Sequence, residues 1–179
     1  MSNNIFNRVE RAIDQAPSIS VSRADLNAGL VLPVSENIYA STPSDFEEIM
    51  RALAAQRPGL YSETTLAEVV EHETDHARAA ERIGVVGLRF SVSISKLRIQ
   101  ESGEEGFAAT PNFTPMLSRA LTLLENAAIC VYPLTPSLGD MRDLRGYGYV
   151  SVDQVAEDIA NHNLRHPDAQ LPLPRSFVS

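Results

Sequence analysis

The segment 66–84 places a carboxylate in the middle of an apolar helix face. At roughly 100° per residue, its apolar members fall within about 60° of one direction on a helical wheel. Glu73 lies at the centre of this face, with His76 on its flank and His72 at its edge. The apolar members are Leu66, Val69, Val70, Ala77, Ala80 and Gly84. Because a buried carboxylate is costly unless it is paired or coordinated, the position of Glu73 predicts a specific partner.

The bounds of this helix are predicted from its terminal residues. Thr65 and Glu68 fit a capping box, so the helix is expected to begin near Thr64 or Thr65. Gly84 is a natural C-cap. Four charged residues point away from the apolar face on the wheel: Glu71, Asp75, Arg78 and Arg82.

The two histidines on this helix have the spacing of metal ligands. His72 and His76 are separated by one helical turn, which puts both imidazoles on one side, as Zn²⁺ needs from two nitrogen ligands. Glu73 faces the same side without having to ligate the metal. A zinc-bound water has a pKa of about 7, and a nearby carboxylate can accept its proton. We therefore predict that Glu73 is a general base.

The sequence His72-Glu73-Thr74-Asp75-His76 resembles the His-Glu-x-x-His motif of the zincin metallopeptidases. The resemblance extends from Val69 to Gly84 and implies a zincin-like fold, Zn²⁺ as cofactor and hydrolysis of a peptide or another amide. The form His-Glu-x-Asp-His is also similar to that of peptide deformylases. Those enzymes carry a metal-binding cysteine upstream of the motif, whereas the single cysteine here, Cys130, lies downstream.

A third protein ligand is required to complete such a site. The resemblance to the gluzincin arrangement implies a glutamate from a later helix, and Glu125 is the preferred candidate because it interrupts an otherwise apolar helix. Cys130, on the same predicted helix, is the second candidate. The third group consists of Glu101, Glu104 and Glu105.

The rest of the chain predicts an α+β fold, with several helices packed on a small mixed or antiparallel sheet. Strict alternation over Leu88–Ser95 indicates a half-buried strand. Weaker strands are predicted at Ile19–Ser22 and Leu30–Val34. Further helices are expected at Ile5–Gln15, from Ser44 to Gln56, from Pro115 to Val131, and from Ser151 to about Arg165, with turns from Pro133 to Gly148.

These patterns favour a single domain over residues 1–166, with a proline-rich C-terminal tail at 167–179 that lies over the surface, is disordered, or packs on a neighbouring subunit. One cysteine allows no intrachain disulfide, and no signal peptide or membrane span is recognisable, so a cytoplasmic location is expected. The net charge is −8 and the basic residues are scattered, which argues against nucleic acid as a partner.

Weaker candidate sites and alternative functions remain open. His162 and His166 are also four residues apart, and the cluster Arg142–Tyr149 could hold a substrate carboxylate, but surface positions explain both. An extended peptide substrate could pair with the edge of strand Leu88–Ile94. The alternatives are a non-catalytic binding or assembly protein with a structural or vestigial metal site, and a di-iron bundle based on Glu73-x-x-His76. The sequence leaves the oligomeric state open.

Overall fold

Six helices and a four-stranded sheet make up the described part of the chain, which in this computed structural model comprises residues 18–34, 36–98, 105–115 and 120–175. The strands are β1 (Ser18–Ser20), β2 (Asn37–Ala40), β3 (Leu88–Arg98) and β4 (Glu105–Pro115). The helices are α1 (Arg23–Asn27), α2 (Pro43–Gln56), α3 (Glu63–Arg82), α4 (Leu123–Val131), α5 (Leu138–Gly146) and α6 (Val152–Arg165). The α+β class predicted from the sequence is therefore confirmed.

The sheet is mixed, with the strand order β1-β2-β3-β4. Strand β1 pairs parallel to β2, and β2 pairs antiparallel to β3 with Ala40 opposite Phe90. Phe90, Val92 and Ile94 are buried on β3, as the alternating pattern predicted. Because β3 has a neighbouring strand on each side, the prediction that its edge receives a peptide is wrong.

Several predicted helices are confirmed with small shifts of their first residues. Helix α2 begins at Pro43, because Thr42 rather than Ser44 is its N-cap. Helix α3 begins at Glu63, where the Ser62 hydroxyl accepts a hydrogen bond from the Thr65 N–H at 3.1 Å. Helix α6 is capped by Ser151, as predicted. The helix predicted at Ile5–Gln15 lies outside the described residues.

Three predicted elements differ from the structure. Residues 30–34 form no strand, and the second strand lies at Asn37–Ala40 instead. Pro115 ends strand β4 rather than beginning a helix, and α4 begins only at Leu123. The predicted turn region contains α5, which begins with a capping box formed by Ser137 and Asp140. The sequence analysis predicted turns there and no helix.

The chain divides into two compact units. The first consists of the described residues within Met1–Leu66 and Phe90–Asn112, and the second of those within Ala67–Arg89 and Phe113–Ser179. The first unit contains the stacked rings of Phe46 and Phe90, whose centroids are 4.7 Å apart. The second unit contains most of α3 and all of α4 to α6. The prediction of a single domain over 1–166 stays a prediction.

The second unit has its own apolar core, which consists of Ala127, Ala128, Val131, Leu144, Val155, Ile159 and Leu171. Leu171 belongs to the predicted tail, yet it is only 6% exposed. Its backbone N–H donates a hydrogen bond to Oδ1 of Asn163 at 2.8 Å, and its carbonyl accepts one from Nδ2 of Asn163 at 2.9 Å. The prediction that this stretch lies over the surface is therefore wrong for Leu171. None of the described helices combines the length and apolar character needed to cross a membrane.

Candidate metal centre

His72 and His76 project from α3 toward one point. Their Nε2 atoms are 3.2 Å apart, and their rings meet edge to face with centroids 4.7 Å apart. The spacing of four residues produces this approach, because it brings two side chains onto the same side of a helix one turn apart. His76 lies deeper than His72, since their side chains are 7% and 19% exposed.

Asp140 completes a three-residue cluster with the two histidines. Its Oδ2 lies 3.2 Å from Nε2 of His72, and its Oδ1 lies 3.2 Å from Nε2 of His76. Asp140 is in the first turn of α5, where its Oδ2 also accepts hydrogen bonds from the Ser137 N–H at 2.6 Å and the Ser137 hydroxyl at 2.7 Å. The capping box therefore fixes the carboxylate that faces the histidines.

The separations within this cluster match those between the ligands of one small cation. Tetrahedral Zn²⁺, with bonds of about 2.0–2.1 Å, places its ligand atoms about 3.3–3.4 Å from one another. The Nε2–Nε2 distance is 3.2 Å, and each Nε2 lies 3.2 Å from a different oxygen of Asp140, Oδ2 for His72 and Oδ1 for His76; one ligand atom from each residue lies within 4.8 Å of the others. His72, His76 and Asp140 could therefore hold a metal ion, and the donor set does not by itself select zinc over iron, cobalt or nickel.

A hydrogen on Nδ1 of His76 leaves its Nε2 to face either a proton or a cation. Its Nδ1 lies 2.8 Å from the carbonyl oxygen of Ile129, which can only accept, so Nδ1 carries a hydrogen. In the neutral ring, Nε2 then presents a lone pair to the Asp140 carboxylate at 3.2 Å. Two acceptors at this distance repel each other unless a proton or a cation lies between them. A carbonyl bonded to the second nitrogen is also the usual support of a metal-binding histidine.

Asp140 and His76 shift each other's pKa values. Burial alone would raise the pKa of Asp140, but hydrogen bonds from His72 and His76 lower it well below its usual range. Burial alone would lower the pKa of His76, but the hydrogen bond and charge of Asp140 outweigh it, so the pKa is raised. Without a metal, the cluster therefore favours a protonated His76 beside an ionised Asp140.

Glu73 is buried beside the cluster, as the helical wheel predicted, and is 8% exposed. Burial raises the pKa of its carboxyl group, and the positive charges of His76 and His72 oppose this rise only in part. The backbone N–H of Phe113 donates a hydrogen bond to the carboxylate. Glu73 is thus a carboxylate of increased basicity, close enough to both histidines and Asp140 to interact with their charges.

The predicted third ligands have other surroundings. Glu125 is in the capping box of α4, where its Oε2 accepts a hydrogen bond from the Thr122 N–H at 2.7 Å. Burial, followed by the charges of Asp140 and Asp143, raises the pKa of Cys130 to about 12, which keeps the thiol protonated. Among the described residues, the carboxylate that joins the histidines is Asp140 and not Glu125. Glu101 and Glu104 lie outside the described residues, as does the side chain of Glu105.

Asp140 was not a candidate in the sequence analysis, although the sequence contains one signal for it. The spacing Ser137-x-x-Asp140 is that of a capping box, which predicts a helix start and a fixed carboxylate. Nothing in this local pattern indicates that the carboxylate meets a helix far away in the sequence.

Asp75 is a second difference between the wheel and the structure. It was expected to point away from the apolar face, but it is only 1% exposed. Its Oδ1 accepts hydrogen bonds from Arg78 and Arg175, each at 2.7 Å. The arginine partners explain how a carboxylate is buried on that side of α3.

The weaker candidates remain unsupported as sites. The His162 ring donates from Nε2 to the Ala169 carbonyl at 2.9 Å, and its centroid lies 4.7 Å from that of His166. His162 therefore helps to fix the segment that follows α6. In the cluster Arg142–Tyr149, Arg142 is exposed and lies 3.7 Å from Asp143.

Comparison with profiles of known families, with curated proteins and with solved structures found no match for this chain. The resemblance to the zincins therefore stays a prediction from a short motif. The geometry of His72, Glu73, His76 and Asp140 has to carry any functional conclusion.

Proposed function

We propose that this chain is a metal-dependent hydrolase of the zincin-like type that cleaves an amide bond. In this proposal His72, His76 and Asp140 bind one divalent ion, with Zn²⁺ the first candidate, and Glu73 is the general base. Asp140 takes the place of Glu125 as the third ligand. A peptide or protein is the proposed substrate.

The observation that carries the proposal is the convergence of three ligand atoms beside a buried carboxylate. The two Nε2 atoms are 3.2 Å apart, each lies 3.2 Å from one oxygen of Asp140, and one ligand atom from each residue lies within 4.8 Å of the others; the Ile129 carbonyl orients His76 toward the same point. If these three residues held a metal ion, a coordination position would remain for water or substrate, as in catalytic zinc sites. A fourth protein ligand would instead favour a structural role, and the described residues offer no fourth histidine, cysteine or carboxylate in this cluster.

Each residue has a defined part in the proposed hydrolysis. A bound divalent ion supplies Lewis acidity, which polarises the substrate carbonyl and makes water more acidic. Glu73 accepts a proton from the water as its oxygen attacks the carbonyl carbon. Glu73 then delivers that proton to the amine nitrogen as the carbon–nitrogen bond breaks. Burial supports both steps, because the raised pKa brings the carboxyl group closer to neutral pH.

A non-catalytic metal site is the second candidate, and the burial of the ligands favours it. The His72 and Asp140 side chains are 19% and 13% exposed, so the opening toward solvent is small. In that case the metal would hold α3 against α5, and Glu73 would be needed only for its charge. The two candidates differ in whether a substitution at Glu73 abolishes an activity or only changes stability.

Metal content and a Glu73 variant test the proposal together. Full-length protein purified without chelator or histidine tag is analysed for metals, beside the His76→Ala variant. We expect about one zinc ion per chain in the wild type and a loss of it in the variant. Wild-type protein that binds no divalent metal after addition of zinc, iron or cobalt would refute the site.

Activity is then measured with quenched-fluorescent peptide libraries. The wild type, Glu73→Gln and a Glu68→Gln control from the exposed part of the same helix are compared. Metal binding by all three, with cleavage lost only in Glu73→Gln, supports the hydrolase. Metal binding without cleavage in the wild type supports the non-catalytic candidate.

A further inference from the structure

Asp75 is a buried carboxylate on the helix that carries both histidines. Its side chain is 2% exposed, and Oδ1 accepts hydrogen bonds from Arg78 and Arg175. Arg78 belongs to the same helix, whereas Arg175 follows Asp75 by 100 residues. Arg175 therefore ties α3 to a distant segment of the same compact unit.

Arg175 also reaches the end of α4. The carbon of its guanidinium group lies 6.0 Å from the centroid of the Tyr132 ring, a distance at which cations and aromatic rings attract each other. Tyr132 is the C-cap of α4 and is 5% exposed. The segment leading to Arg175 is anchored by Leu171 in the core. Arg175 thus connects Asp75 on α3 with Tyr132 on α4.

The same end of α4 orients a proposed metal ligand. The Ile129 carbonyl accepts hydrogen bonds from Nδ1 of His76 at 2.8 Å and from the Tyr132 N–H at 3.4 Å. Besides the contact of Arg82 on α3 with the Tyr132 ring at 5.1 Å, helices α3 and α4 are therefore joined at two neighbouring places. One is the bond from His76 to Ile129, and the other is the path from Asp75 through Arg175 to Tyr132.

We propose that Asp75, Arg175 and Tyr132 form a clamp that positions His76 for metal binding. This inference rests on the proposed metal site. The three residues are positioning residues, because the structure assigns the ligand atoms to His72, His76 and Asp140. Without the clamp, α3 can shift along α4, so the bond between Nδ1 and the Ile129 carbonyl weakens and the His76 ring is no longer held toward Asp140. Losing such outer support of a ligand typically lowers metal affinity by about 10–100-fold.

The direction in which the loss of Arg175 changes metal affinity distinguishes a positioning role from a direct effect of its charge. Removing a positive side chain near a cation site should, by charge alone, strengthen cation binding. The clamp predicts the opposite result for Arg175. Arg82 provides a matched control, because its guanidinium carbon lies 5.1 Å from the same Tyr132 ring, while the described partners of Asp75 are Arg78 and Arg175.

The experiment measures the Zn²⁺ dissociation constant of full-length variants by competition with a chromophoric chelator. We expect Arg175→Ala to raise Kd about tenfold or more, and Arg82→Ala to leave it within about twofold. The visible spectrum of the Co²⁺-loaded protein should change only for Arg175→Ala, since it reports the geometry of the ligands. In an Asp75→Asn background, Arg175→Ala should weaken binding less than it does in the wild type, because both changes affect the Asp75–Arg175 contact; the contact of Arg175 with Glu71 at 3.4 Å accounts for any further loss.

Arg175→Lys keeps the charge and replaces Arg175→Ala if that variant does not fold. An ammonium group lacks the planar fork that contacts both Asp75 and the ring, so we expect Kd to rise at least about threefold. An unchanged Kd and Co²⁺ spectrum in the folded Arg175 variants, even with a lower Tm, would overturn the clamp. Equal weakening by Arg82→Ala would overturn it as well. Wild-type protein that binds no metal would instead refute the proposed site itself, and the clamp with it.

Discussion

Replacing Asp140 with alanine should remove a metal ligand and a helix cap in one step. The cap consists of the hydrogen bonds that Oδ2 accepts from the Ser137 N–H and hydroxyl at 2.6 and 2.7 Å. Ser137 remains the N-cap, so loss of this half of the capping box costs at most about 1 kcal/mol, or about 2–4 °C in the Tm of a chain of this size, and loss of the metal-free contacts with His72 and His76 adds to that cost. The loss of the ligand adds a second effect that appears only when metal is present.

The size of that second effect follows from linkage. Metal at about 100 times its Kd stabilises the folded state by about 2.7 kcal/mol, or about 5–11 °C in Tm. We expect the wild type to gain this amount on addition of zinc, and Asp140→Ala to gain little or none. Differential scanning calorimetry with and without zinc measures both terms for each protein.

Glu125→Ala is the matched control for this experiment. Glu125 has the same capping-box role in the same compact unit, where its Oε2 accepts a hydrogen bond from the Thr122 N–H at 2.7 Å. Without metal it should lose only the capping contribution, which is less than Asp140→Ala loses because Asp140 also pairs with His72 and His76, and with zinc it should keep the full gain. A zinc gain that persists in Asp140→Ala, or disappears in Glu125→Ala, would show that Asp140 is not the third ligand.

Three further predictions test the surroundings of the cluster. Glu73→Gln should be more stable than metal-free wild type at neutral pH. The raised pKa of Glu73 means that its ionised form opposes folding. The stability advantage of the variant is therefore absent below about pH 4.5, the unfolded-state pKa, and grows as the pH rises through the folded-state pKa. Urea unfolding at several pH values measures the difference, and a pH-independent difference would contradict this reasoning. Cys130→Ala should keep its zinc in elemental analysis, because the ligand cluster among the described residues consists of His72, His76 and Asp140; loss of zinc would return Cys130 to the ligand set. Leu171→Ala should cost about 2–5 kcal/mol in urea unfolding, since Leu171 fills the core of the second unit, and a cost below about 1 kcal/mol would mean that it packs only on the surface.

Burial of the cluster restricts the direction from which a substrate could reach it. Glu73 and His76 are 8% and 6% exposed, and low exposure strengthens charge interactions there. A hydrolase needs the substrate to reach the cluster from the side of His72 and Asp140, where the exposure is greater. Leu138, two residues before Asp140 at the start of α5, has an apolar side chain that is 92% exposed.

The sequence by itself determined the helix α3, the approach of His72 to His76 and the burial of Glu73. It also determined the alternating burial along β3. These features depend on residues a few positions apart, and the helix and strand periods convert such spacings directly into shared faces. The same local rule found the cap at Ser151.

Only the tertiary structure decided which groups complete the site. The Ile129 carbonyl that orients His76 is 53 residues away, and the Arg175 that pairs with Asp75 is 100 residues away. The helical wheel placed Asp75 opposite the apolar face from its position in the sequence, and only the tertiary structure brings Arg175 from a distant segment to pair with it there. Glu125 and Asp140 both cap helices, and their sequences predict that role equally well. Which of the two carboxylates meets the histidines depends on how α3, α4 and α5 pack, and that packing is set by contacts that no local period encodes.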